Sequence, residues 1–205
     1  MAAAAQLGYV VKLLAIARRG AQGMELRVHP ALVPAQHALA RLDGASNGLL
    51  VRADAAGEAF FSGAGAGGEP TASAVLADLV DLARHPGTDG RWGGPTAIPT
   101  LGLRADAPTA PLPMAQVRTR QLLRLLPGKT FNEAQVLRQL AHAGVKVERR
   151  AWGPAEAAGA SPSLLLLTAP VPDGLAAQAA ERLQAHTGAR VRRLRVEDFG
   201  AQQFE

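Results

Sequence analysis

One stretch, between His85 and Pro113, constrains this chain more than any other: it is dense in glycine and proline and carries no sustained hydrophobic period. Neither a helix nor a ladder can run through such a segment, so residues 86–113 read as a linker. The 205 residues therefore divide into units 1–85 and 114–205, each long enough to bury a core. An apolar fraction of 48% against 19% charged residues excludes wholesale disorder. With no cysteine, a disulfide scaffold, a thiolate metal site and a cysteine nucleophile are excluded together. The apolar run from Tyr9 to Ala17 is broken by Lys12 and is too short to span a bilayer, so a cytoplasmic protein with no membrane partner is expected.

The pattern of the first unit predicts strands over Tyr9–Arg18 and Met24–His29. Met24, Leu26 and Val28 share one face, and Pro30 is expected to end the second strand. A short helix at His37–Leu42 and strands at Gly48–Arg52 and Glu58–Ser62 follow. An amphipathic helix from Pro70 to Arg84 closes the unit, with Val75, Leu76, Leu79, Val80 and Ala83 as its buried stripe and His85-Pro86-Gly87 as its stop. The second unit reads strand, helix, strand, strand, helix, strand over Arg118–Leu126, Asn132–His142, Val145–Trp152, Ser163–Thr168, Gly174–His186 and Arg190–Glu197. That βαββαβ order predicts an α+β, ferredoxin-like unit: a four-stranded antiparallel sheet with two helices on one face. A capping box at Thr130–Glu133 and an N-cap at Asp173 start the helices, and Gly144 and Gly188 stop them. The adjacent Arg192 and Arg193 suggest a bulge in the last strand.

Charge is unevenly placed. Residues 1–112 hold nine basic and nine acidic side chains, whereas 113–205 hold thirteen against eight. No aromatic residues interleave with Arg149, Arg150, Arg190, Arg192, Arg193 and Arg195, so these read as a solvated sheet edge or face rather than a nucleic-acid surface. His29, His37, His85, His142 and His186 show no metal-ligand spacing, and no G-x-S-x-G elbow is present. His29 reads as a structural strand-end residue, and Asp78 and Asp81 as the solvated face of their helix.

Gly63-Ala64-Gly65-Ala66-Gly67-Gly68 matches G-x-G-x-x-G, follows a strand and opens a helix. A dinucleotide site of that kind needs a second parallel strand with an acidic residue at its end, and here the helix runs into the linker. As a complete βαβ fingerprint the match is coincidental. The turn still offers backbone N–H groups at a helix start, but on local sequence alone a tight turn needing positive φ is the commoner reading.

The string Gly63-x-Gly65-Ala66-Gly67-Gly68-x-Pro70-Thr71-Ala72-Ser73-Ala74-Val75 resembles the C-terminal catalytic signature of homoserine dehydrogenases. The resemblance runs upstream through Leu7–Ala15, Glu25–Pro30, Leu42-Asp43-Gly44 with Asn47, and Gly57-Glu58 before Phe61. Residues 114–205 resemble the ACT regulatory domain that follows the catalytic part in many of these enzymes. Pro127-Gly128 stands at the first strand-to-helix turn, although Leu126 replaces the usual acidic residue before it. The resemblance implies NAD(P)-dependent interconversion of aspartate semialdehyde and homoserine, in threonine, methionine and isoleucine biosynthesis. It also implies a homo-oligomer, a dimer, built through the substrate-domain sheet. The returning glycine loop borders the cofactor in this family, so Gly67, with Gly65 and Gly63 shaping the approach, are the implied cofactor-binding residues. The family's catalytic lysine and substrate acids precede the part matched here. Lys12 is no substitute, and no catalytic residue or tight NAD or NADP site is expected in these residues alone. Three readings follow: an inactive C-terminal portion of the enzyme, a split enzyme whose nucleotide-domain half is a separate partner, or a non-catalytic regulatory protein binding an amino-acid effector or a full-length subunit.

Overall fold

The computed structural model describes residues 2–20, 23–84, 110–128, 131–155 and 161–199. The linker over 86–113 lies almost wholly outside them, as do the helix stop at His85–Gly87 and Thr130. Two compact units emerge, one made of residues 1–40 with 110–205 and the other of residues 41–109.

In the first unit a short helix α1 (Ala2–Gln6) leads into β1 (Tyr9–Gly20) and β2 (Gly23–Pro34), which pair antiparallel along their whole length. After residue 110 come β5 (Arg118–Leu126), α3 (Glu133–His142), β6 (Val147–Gly153), β7 (Ser163–Thr168), the short β8 (Val171–Pro172), α4 (Asp173–Thr187) and β9 (Arg190–Val196). The strand-helix order expected for residues 114–205 is thus present, and the chain is mixed α+β. The sheet extends further than four strands, in the order β1-β2-β9-β5-β7-β6, because β2 pairs parallel with β9 at Ala31↔Arg195 and Leu32↔Val196.

Alternation on these strands shows that both faces of the sheet are covered. Leu123, Leu125, Leu164 and Leu166 point one way and pack with Val136 and Leu140 of α3 and Ala176, Ala179 and Leu183 of α4. Leu122, Leu165 and Leu167 point the other way, together with Leu32 and Val196, and meet Ala3, Ala4 and Leu7 at the N-terminus. The all-apolar run of β7 is the sequence signature of such two-sided burial.

Several local expectations are corrected. Pro30 does not end β2, which runs on to Pro34. Leu32 shares Pro30's parity, and its carbonyl accepts from Glu197 N on the β9 side. The nitrogen of Pro30 therefore faces β9 just before their ladder begins at Ala31, and no bond to β1 is lost. His29, accordingly, lies within a strand rather than at its end. The bulge is in β6, between Val147 and Arg149, whereas β9 keeps continuous register with β5. Asn132 caps α3, its side chain accepting from Gln135 N. Asp173 opens α4 without capping it, because its carboxylate is held by arginines. Gly144 (φ +75°) and Gly188 (φ +62°) follow α3 and α4 as expected. Gly128 has a separate requirement: a Cβ there would sit 3.0 Å from the Gly188 carbonyl.

The second unit holds β3 (Ser46–Ala53) paired antiparallel with β4 (Gly57–Ala64), then α2 (Gly68–Arg84). The helix is where the sequence places it, but its expected buried stripe is not buried. Val75, Leu76, Leu79 and Val80 are 52%, 60%, 54% and 43% exposed. A moment without a partner surface leaves the apolar face open, and none covers it among the described residues.

Candidate functional site

The glycine loop connects β4 to α2. Gly63 pairs with Asn47 across the hairpin, and Gly65 N donates to Ala45 O at 2.9 Å, so the loop stays tied to the start of β3. A Cβ on Gly65 would fall 1.6 Å from the Asn47 side-chain nitrogen, so any larger residue there would displace that side chain. Gly67 must be glycine because its φ is +124°, and a Cβ would also press on Pro70 at 3.3 Å. Gly63 and Gly68 are different: a Cβ on either would meet nothing within 4 Å, and neither has positive φ. The fold itself leaves these two positions free. Gly68 opens α2, whose first-turn amides face out of the turn, with Glu69 the acidic residue of that turn. Gly63, Gly65 and Gly67 are therefore brought together at one helix start. As a cradle they fit the approach of a phosphate group, since backbone can be reached at Gly63 and Gly68 without displacing a side chain. Asn47 is the residue that sequence reasoning quoted without a role, and its contact with Gly65 supplies one.

Other candidates fall in both units. Lys12 stands half-buried in β1 opposite Ala31. No group of three or more metal-binding side chains occurs among the described residues. Asp78 and Asp81 are exposed on α2, as expected.

Arg149, Arg150, Arg190 and Arg192 are exposed, in keeping with a solvated face, but Arg193 and Arg195 are not. Both turn toward Asp173, which is 6% exposed. Arg193 Nη1 donates to Asp173 Oδ1 at 2.6 Å, Arg195 Nε to Oδ1 at 2.7 Å and Arg195 Nη2 to Oδ2 at 3.0 Å. Gln121, fully buried on β5, donates to Thr119 and Asp173 and accepts from Arg193. Burial alone would raise the Asp173 carboxyl, but hydrogen bonds from Arg195 and Arg193 hold it below its ordinary value. Farther along the same face of the sheet, Arg27 pairs with Glu197 and Glu25 and contacts His29 Nε2 at 3.2 Å. Burial pushes the His29 imidazole below its ordinary value; the Pro30 carbonyl opposes this, and Arg195 and Arg27 reinforce it. The period-2 spacing Arg193, Arg195, Glu197 was the signal for this strip. Its partner, Asp173, is distant in sequence.

Among the depressions formed by the described residues, two bear on function. One of about 520 Å³ lies between the start of α3 and β6, lined by Glu133, Leu137, Arg150, Trp152 and Leu164 among others. Arg150 and Glu133 form an ion pair there at 3.2 Å, and Phe131 packs edge-on to Trp152. The second, of about 180 Å³, is lined by Pro30, Gln121, Arg193, Leu194 and Arg195.

Residues 1–80 match the family described as homoserine dehydrogenase. The homoserine dehydrogenase of Pseudomonas aeruginosa is 36% identical over 201 residues, which cover 94% of this chain and 45% of that protein. The one from Neisseria gonorrhoeae is 53% identical over 81 residues, 40% of this chain and 19% of that protein. Among solved structures, the homoserine dehydrogenase of Thiobacillus denitrificans superposes with a TM-score of 0.78 at 39% identity, covering 96% of this chain and 44% of the other. The chain thus spans less than half the length of these relatives.

Proposed function

The chain is kin to the homoserine dehydrogenases over nearly its whole length, and on that premise we propose that it forms the C-terminal part of such an enzyme, interconverting aspartate semialdehyde and homoserine with NAD(P). The observation that carries this reading is the glycine turn: a sequence signature of the family folds into a hairpin-to-helix turn with two glycines the fold does not require. In this reading residues 1–85 supply part of the substrate domain and the returning helix. Residues 114–205 supply an ACT-like regulatory unit, and 86–113 join them. Gly67, Gly65 and Gly63 border the cofactor, which supplies hydride chemistry when bound, while Asn47 holds the turn in place. The nucleotide domain and the proton-transferring group come from outside these residues. The open stripe Val75, Leu76, Leu79 and Val80 is the surface that such a domain would cover.

The β1–β2 hairpin presents Leu13, Leu26 and Val28 at 72%, 54% and 71% exposure on one face, which supports oligomerisation through the substrate-domain sheet. An amino-acid effector finds opposite charges at Glu133 and Arg150 beside an apolar wall in the larger depression.

The experiment is an assay of homoserine-dependent NADP reduction by the 205-residue chain, alone and mixed with the N-terminal half of a homoserine dehydrogenase. No turnover alone and turnover on mixing are expected. Turnover by the chain alone would overturn the assignment of the chemistry to other residues. No turnover in the mixture, with a full-length subunit captured instead, would favour a non-catalytic regulatory protein.

A further inference from the structure

The smaller depression, between β2, β5 and β9, has an unbalanced charge. Among the described residues, the ion pairs of its two lining guanidiniums, Arg193 and Arg195, share a single carboxylate, Asp173. Donors also outnumber acceptors. Arg27 Nε is buried with no hydrogen-bond partner among the described residues, on a side chain 2% exposed. Arg193 Nε and Arg195 Nη1 likewise make no hydrogen bond among the described residues. His29, which could add an acceptor, is already engaged with Arg27 and the Pro30 carbonyl. A positive surplus beside low-dielectric walls is unfavourable unless an anion offsets it.

The cavity fits that need. Its volume of about 180 Å³ admits a small molecule, and its lining combines two arginines with the fully buried Gln121 and the apolar Pro30 and Leu194. Asp173 fixes both guanidiniums, so their forks are ordered before any ligand arrives. We propose that this cavity binds the carboxylate of a small organic monoanion through Arg193 and Arg195, with Pro30 and Leu194 against its apolar portion. The surplus is a single charge, which suits a carboxylate better than a phosphate dianion. The site is distinct from the Glu133–Arg150 depression, and its existence does not depend on the dehydrogenase reading.

The test is a titration of the full chain with sodium propionate, followed by NMR of the Gln121 side-chain amide and the arginine Nε–H groups, against sodium chloride at equal ionic strength. Saturable shifts confined to Gln121, Arg193 and Arg195 are expected, weakened about tenfold or more in Arg195→Lys, which keeps the charge but loses the fork. If Arg195→Lys does not fold, Arg193→Lys takes its place. Linear, non-saturating shifts, or the same saturation with chloride, would overturn the proposal. So would tighter binding of inorganic phosphate, or shifts centred on Arg150 and Trp152.

Discussion

Asp173 and His29 make the fold sensitive to acid in the same direction. The folded carboxyl of Asp173 is held below its ordinary value of 3.8, so its contribution is present above that value and is lost as pH falls through the lower folded one. The folded imidazole of His29 lies below 6.5, so the unfolded chain gains its proton first and stability declines as pH drops below 6.5. Urea denaturation from pH 7.5 to 5 should show a falling unfolding free energy, and His29→Gln should flatten that decline; an unchanged slope would mean His29 does not titrate differently on folding. Glycines test the site at the same scale. Gly188→Ala should cost about 1 kcal/mol or more because of its left-handed φ. Gly63→Ala should leave stability within about 0.5 kcal/mol, since its Cβ meets nothing, yet weaken NADP binding once the nucleotide half is supplied. A stability loss at Gly63 would assign that glycine to folding rather than to ligand approach.

Among the elements, β5 and β7 have the bounds their periodicity predicts, because a long apolar or alternating run admits few other solutions. The second covered face of the sheet was not legible. It depends on Ala3, Ala4 and Leu7, small or isolated apolar residues whose pattern says nothing about where they dock. The β2–β9 seam was hidden for a similar reason: two residue pairs join strands far apart in sequence. Of the candidate site, the glycines were readable from their motif, but the Asp173 clamp was not, since Asp173 also had the look of a helix cap. Adjacent leucines check the two-sided sheet. Leu165→Ala and Leu166→Ala should each cost about 2–5 kcal/mol in denaturant unfolding, although they point to opposite faces. A negligible cost at Leu165 would mean that the N-terminal residues do not cover that face. On amide exchange, β5 and β7 should be protected while β3, β4 and α2 exchange fast, since an isolated two-stranded ribbon is marginal in water. Adding the N-terminal half of a homoserine dehydrogenase should slow exchange in α2 if that half covers its open face.

For the molecule as a whole, kinship, fold class and the expected lack of complete chemistry all bear on one question, the identity of whatever meets the open face of α2 and the exposed side of the β1–β2 hairpin. Sedimentation of the isolated chain should show concentration-dependent self-association, reduced by Leu13→Lys with Val28→Lys; a monodisperse monomer at high concentration would argue against a sheet-mediated oligomer. The pairing of β2 with β9 has a further consequence for biosynthesis. The ribosome makes β2 roughly 160 residues before the strand that flanks Leu32, so the earlier strand must wait, unpaired on one edge, while the residues between them are translated. Nascent chains stalled short of Val196 should therefore be the form most readily held by chaperones, and completion of β9 is the event that releases them.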